Sequence, residues 1–241
     1  MRLPTLLAAV LVLLVSAAVL AQDTPADPVQ EELEALLAEH EHSELGYPEA
    51  YRAFLPRFEK FAKDHRGTEP EVRATLWLIQ QAWWLREGNS MDKVNEAAMP
   101  LAEDLLKRHP NSPQLDLLVE YKYNFSKEQR DLLFNRLLEI SHEPRVKAAA
   151  HFGLAQASPA RDADGAPNPH FAALTTEFAN VKWRETTYGA IASAYLNPLS
   201  PADLAQGKPA PEIEGIDHNG KPMKLSDYRG KVVLLDFWGD W

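Results

Sequence analysis

From Val29 onward, apolar positions recur at intervals of three and four. Leu33, Leu36 and Leu37 form a first stripe, and Tyr47, Ala50, Tyr51, Phe54, Leu55, Phe58, Phe61 and Ala62 a second. That spacing places them on one face of amphipathic helices. Start signals punctuate the pattern. Thr68-Glu-Pro-Glu71 has the form of a capping box with proline in the first turn and predicts a helix running through Trp84. Ser126-Lys-Glu-Gln129 repeats the signal ahead of Leu132, Leu133, Leu137 and Leu138, and Ser112-Pro113 and Asn168-Pro169 are further starts of the cap-then-proline type. Pro56 and Pro100 fall inside helical patterns and are expected to kink those helices or split them in two. Residues 158–169 read as an exposed loop, after which helical patterning returns over residues 171–178 and 186–196.

The helical part contains an internal echo. Pro56-Arg-Phe-Glu-Lys-Phe-Ala-Lys-Asp-His65 aligns with Pro100-Leu-Ala-Glu-Asp-Leu-Leu-Lys-Arg-His109, and each block is followed by a polar turn and a proline, Pro70 or Pro113. A weaker third copy ends at His142, ahead of Pro144. Repeated helical pairs bury their apolar faces against their neighbours, so the expected architecture is a stack of α-hairpins. The pattern resembles tetratricopeptide-type α-solenoids, with an incomplete signature, and is read as a degenerate helical repeat over residues 29–200.

Residues 201–211 form a proline-containing linker, including Gly207-Lys-Pro-Ala-Pro211. The period then changes from helix to strand. Residues 212–216 alternate, Asn219-Gly220 is a hairpin turn signal, and Met223 and Leu225 begin the return. Val232-Val-Leu-Leu235, entering Asp236-Phe237-Trp238, reads as a strand buried on both faces. The expected fold class is therefore mainly α: a helical-repeat domain followed by a hairpin and one central strand.

Composition refines this picture. Of 241 residues, 45% are hydrophobic and 25% charged, and the formal net charge is −10. A phosphate backbone repels such a chain, so nucleic acid is not an expected partner. Met1-Arg2, the apolar stretch from Leu6 to Leu20 and Val19-Leu20-Ala21, with small residues at the two positions a signal peptidase reads, have the form of a secretory signal peptide over residues 1–21. Cleavage after Ala21 leaves a flexible leader, residues 22–28, on a protein exported to the periplasm or outside the cell, with no stable membrane insertion. The histidines lack ligand spacing: His40 and His42 do not share a helix face, and His65 and His109 fall in last helical turns, where a cation suits the free carbonyls. Neither a metal nor another cofactor is expected. Trp77, Trp83, Trp84, Tyr121, Tyr123 and Phe125 read first as core, and second as a concave surface for protein partners.

Taken together, Gly207-Lys-Pro-Ala-Pro211, Asn219-Gly-Lys221, Leu225-Ser-Asp-Tyr-Arg-Gly-Lys231 and Val232-Val-Leu-Leu-Asp-Phe-Trp238 resemble the opening of a redoxin domain. That thioredoxin-like superfamily holds alkyl hydroperoxide reductases, thiol-specific antioxidants and TlpA/ResA-like thiol-disulfide oxidoreductases. Phe237-Trp238-x-x-Trp241 is closer to the TlpA/ResA-like branch than to a peroxiredoxin-type peroxide reductase. The resemblance covers residues 207–241 and implies dithiol–disulfide exchange on protein substrates. The family's Cys-x-x-Cys sits at a helix N-terminus, which lowers the first thiol's pKa. The chain contains no cysteine. The first would follow Trp241, so only the motif-framing residues Asp236, Phe237, Trp238, Gly239, Asp240 and Trp241 match, and no catalytic residue is carried over. Three origins are weighed: an incomplete reading frame, a UGA selenocysteine codon taken for a stop, and a true truncation. Two function classes stand: the front of an exported thiol-disulfide oxidoreductase, and a non-enzymatic helical-repeat interaction protein with a vestigial redoxin tail. Without the rest of its sheet, residues 207–241 are expected either to pack on the helices or to expose Val232 and its neighbours.

Overall fold

The structure, a computed structural model, describes residues 27–87 and 90–236. The expected signal peptide and its cleavage after Ala21 lie outside the described residues, as do Phe237, Trp238, Gly239, Asp240 and Trp241. The described chain is mainly helical. Helix α1 (Pro28–Glu41) begins at Asp27, whose carboxylate accepts from the Val29 N–H, and α2 (Tyr47–Asp64) follows after a short turn. Helix α3 (Glu69–Gln81) starts at Thr68, whose hydroxyl accepts from the Glu71 N–H at 3.3 Å. Its capping box closes on that side only, because the Glu71 carboxylate accepts from the Gly67 N–H and is otherwise held by α4 (Asp92–Arg108).

Helix α3 is shorter than its periodicity predicts. It stops at Gln81, and residues Ala82–Leu85 continue as a tighter 3₁₀ turn. Within that turn the Trp84 indole N–H donates to the Gln81 side chain at 2.9 Å, and its ring stacks on Tyr47. The expected splitting of helices at proline does not occur either. Helices α2 and α4 run unbroken through Pro56 and Pro100. Proline removes one N–H from the ladder, whereas the turns that follow bury Phe58 and Phe61 in one helix and Ala102 and Leu105 in the other.

Beyond α4, a 3₁₀ turn (Pro113–Asp116) leads into the single helical turn α5 (Leu117–Glu120), then a second 3₁₀ turn (Lys122–Asn124). Helix α6 (Lys127–Ile140) carries the complete capping box: the Ser126 hydroxyl accepts from the Gln129 N–H, and the Gln129 side chain accepts from the Ser126 N–H. Helices α7 (Pro144–Ala155), α8 (Pro169–Thr175) and α9 (Tyr188–Leu196) complete the helical part. Residues 186–187 were expected to be helical. They form strand β2 (Thr186–Thr187) instead, antiparallel to β1 (Lys182–Trp183), with Arg184 in the turn between them at φ 50°.

Two apolar clusters meet on α3. One gathers Leu33, Phe54, Phe58 and Phe61 from α1 and α2 around Ala74, Trp77 and Leu78. The other runs from Val72, Leu76 and Ile79 through α4, α6 and α7 to Phe171 and Ala192. Helix α3 is therefore buried almost all round, as a helix between two packed layers must be.

The C-terminal part departs most from expectation. Strand β3 (Glu214–Ile216) pairs antiparallel with β4 (Pro222–Lys224), placing Gly215 opposite Met223. A 3₁₀ turn (Leu225–Tyr228) follows. The expected central strand is not formed over residues 232–236, which carry no regular structure and are exposed. A strand exists by exchanging backbone hydrogen bonds with a neighbour, and among the described residues 232–236 make none.

Candidate functional site

The redoxin-like segment is built locally. Its hairpin loop is wider than a two-residue Asn-Gly turn. The Gly220 N–H donates to the Asp217 carbonyl, closing a four-residue turn, and Gly220 takes φ 79°, which a residue without Cβ adopts freely. The Asp217 carboxylate accepts from the N–H groups of Asn219 and Lys221 at 2.8 and 2.9 Å. On the return, the Leu225 N–H donates to the Ile213 carbonyl and the Ser226 N–H to Glu212. Hydrogen bonds from the Ser226 side chain and N–H hold the Glu212 carboxyl below the usual range. The Lys224 N–H is capped by Asp227 at 3.0 Å, and its ammonium pairs with Glu214 across the strands. Gly230, at φ 80°, then turns the chain into residues 231–236.

Those residues form an open arm. Val232 and Leu234 are 103% and 93% exposed, Val233 and Leu235 41% and 47%. The two-residue alternation is that of an extended chain with one side partly covered. Of the predicted framing residues, Asp236 stands exposed on this arm; the other five lie outside the described residues. The arm offers no thiol. Thiol exchange needs a thiolate, and the chain has no cysteine to supply one.

The histidines predicted at helix ends are found there. His65 and His109 are the residues that end α2 and α4, and each reaches back to a glutamate of an earlier helix: His65 to Glu32 at 3.1 Å and His109 to Glu71 at 2.9 Å. Among the described residues, no group of three or more His, Asp or Glu is arranged to hold a metal ion.

The aromatic residues divide. Trp77 is buried with its ring stacked 3.7 Å from Phe58, and Phe125 is buried as well. Tyr123 is 66% exposed. It stands beside a groove of about 480 Å³, formed where the residues around α5 face α7, α9 and the β1–β2 hairpin; of the six aromatic residues weighed in the sequence for a concave surface, Tyr121 and Tyr123 line it, and the remaining aromatic walls were missed. Phe152 is its centre, with the rings of Trp183, Tyr188 and Tyr195 5.8 to 6.0 Å away. Burial pushes the Tyr188 phenol far above its usual range. The sequence signal was divided among residues from 121 to 195, so no local window contains it.

Among the described residues, no helix is long and apolar enough to cross a membrane. No family model matches the chain, and no solved structure does. Short stretches match curated proteins named thiol-disulfide oxidoreductase ResA. The protein of Bacillus subtilis (strain 168) is 47% identical over 38 residues, 16% of this chain and 21% of the relative. That of Geobacillus kaustophilus (strain HTA426) is 50% identical over 38 residues, and that of Geobacillus thermodenitrificans (strain NG80-2) 47% over the same length; each match covers 22% of the relative. The chain thus spans about a fifth of the length of these relatives, and in that stretch it is similar to the thioredoxin-like redoxins.

Proposed function

We propose that the matched stretch includes residues 207–241 and that these residues are the opening segment of an exported, TlpA/ResA-like thiol-disulfide oxidoreductase domain. The observation that carries this reading is the 47–50% identity to thiol-disulfide oxidoreductases over 38 residues. The ordered motifs from Gly207 to Trp238 support it, as does a hairpin that ends by releasing an apolar arm toward Asp236. On this reading the helical residues 29–200 form a degenerate repeat that docks or spaces protein substrates. Dithiol–disulfide exchange itself requires cysteines beyond those 241 residues, or selenocysteine in place of the first.

The test is the coding sequence after the Trp241 codon. A Cys codon, or UGA, followed in frame by the remaining redoxin sequence supports the oxidoreductase. A stop with no such sequence beyond it sinks that reading. The absence of cysteine from the chain favours a second reading, a helical interaction protein with a vestigial redoxin tail. For residues 22–241 alone, both readings expect insulin reduction by dithiothreitol to proceed at the uncatalysed rate. Catalysis there would overturn the thiolate mechanism.

A further inference from the structure

The groove around Phe152 has a cationic end. Lys122 lies in the 3₁₀ turn Lys122–Asn124, which is pinned to α3 by the Asn124 amide donating to the carbonyls of Ile79 and Gln80 at 2.5 and 3.0 Å. Its ammonium donates to the Gln156 side-chain oxygen at 2.7 Å and lies 5.3 Å from the Tyr123 ring centre. Gln156 in turn donates to the Tyr195 hydroxyl at 3.1 Å, so the lysine is tied into the aromatic wall. Among the described residues Lys122 makes no salt bridge, although other cations here do: Lys127 pairs with Asp131, and Arg145 with Asp116. Burial, with Arg130 close by, pulls the Lys122 ammonium below the usual lysine range. A half-buried ammonium with only a neutral partner is under-compensated.

Lys122 and Gln156 also line a second recess of about 190 Å³, to which Arg130 contributes. The aromatic groove and the basic recess therefore adjoin through the same two side chains. The carboxylates nearby are engaged or solvated: Asp131 and Asp116 in the ion pairs above, and Glu120 exposed to water, which screens it.

We propose that this groove docks an extended peptide segment of another protein, one that carries an Asp or Glu beside apolar or aromatic side chains. The peptide's carboxylate meets Lys122 and Arg130, and its apolar neighbours lie on Phe152, Trp183 and Tyr195. Aromatic walls supply contact area at low entropic cost, and the unpaired cation selects the charge of the occupant by complementarity. This inference does not rest on the redox reading of residues 207–241.

The experiment uses fluorescence anisotropy with the full chain and three sets of labelled eight-residue peptides. The sets share apolar and aromatic frames and differ only in carrying Glu, Gln or Lys at the central position. The Glu set is expected to bind about 10-fold more tightly than the Gln set, equivalent to about 1.4 kcal/mol, and to lose that margin as salt is raised. Lys122→Met is expected to bring the Glu set down to the Gln set and leave the Gln set unchanged. Arg130→Gln, at a half-buried position, is expected to lower the Glu set to a smaller extent, with circular dichroism reporting that both variants fold. Absence of binding by all sets, equal binding of Glu and Gln sets, or a Glu preference that survives both substitutions together overturns the proposal.

Discussion

Glu71 is a charged residue buried where α3 meets α4. Its carboxylate is buried yet accepts from both Arg108 guanidinium nitrogens at 2.6 Å, from His109 and from the Gly67 N–H. Burial pushes its pKa up, but the bonds from Arg108, Gly67 and His109 outweigh burial and hold the carboxyl below the usual range. Glu71→Ala is expected to destabilise the fold by about 3 kcal/mol in urea denaturation, the lower end for a broken buried pair, because Arg108 keeps Asp104 as a partner. Because the folded pKa is depressed, this stabilisation is present above the ordinary glutamate value and is lost as pH falls through the folded one. The histidines act at higher pH. His151 and His170 meet Nδ1 to Nδ1 at 2.9 Å between α7 and α8, which requires at least one Nδ1 to be unprotonated. Burial lowers both, with the charges of His170 and Lys147 adding at His151 and Glu177 opposing; burial also lowers His40, where Glu41 opposes. The unfolded chain then takes up protons first, so stability is expected to decline as pH falls below about 6.5, the ordinary histidine value. Melting curves from pH 7.5 to 5 check this, and His151→Leu with His170→Leu is expected to flatten the slope, leaving the His40 contribution.

At the scale of elements, the caps show how local and tertiary forces share the same atoms. Ser126 and Gln129 close a full box even though the Ser126 hydroxyl also donates to Glu128 at 3.1 Å, so Ser126→Ala is expected to cost about 1 kcal/mol, read as a shift in the urea midpoint. The similar signal at Thr68 is half spent elsewhere, since Glu71 is drawn to Arg108. Helix α7 tolerates no added bulk at Gly153, where a Cβ would lie 2.6 Å from the Phe134 ring. Gly153→Ala is accordingly expected to destabilise by about 1–3 kcal/mol through overpacking, measured in the same way. The strand pair β1–β2 overrides helical periodicity at residues 186–187 because pairing with Lys182 and Trp183 satisfies backbone groups there.

At the scale of the molecule, the helices share two apolar clusters through α3, whereas no hydrogen bond among the described residues joins residues 198–236 to the helices before them. Of the two expected outcomes for the C-terminal segment, the structure shows exposure of Val232, Val233, Leu234 and Leu235. An unpaired apolar edge of this kind templates association. Replacing Val232 and Leu234 together by Lys is expected to raise the concentration at which the chain aggregates, followed by light scattering. Equal scattering from the parent and the double variant would count against the exposed edge.

Periodicity and caps alone placed α1, α2 and α6, the proline starts at residues 113 and 169, and the β3–β4 hairpin, because each depends on residues within one or two turns of chain, while the internal repeat marked the second half of α4. They also marked His65 and His109 as helix ends, since an end is a local event. The fate of residues 232–236 was decided by tertiary structure: a buried strand needs partners on both sides, and its apolar run reports the requirement without supplying the partner. The groove around Phe152 and the unpaired Lys122 likewise exist only once α5, α7, α9 and β1 are brought together. Burial, ion pairing and concavity are properties of neighbours distant in sequence, which hydrophobic spacing does not encode.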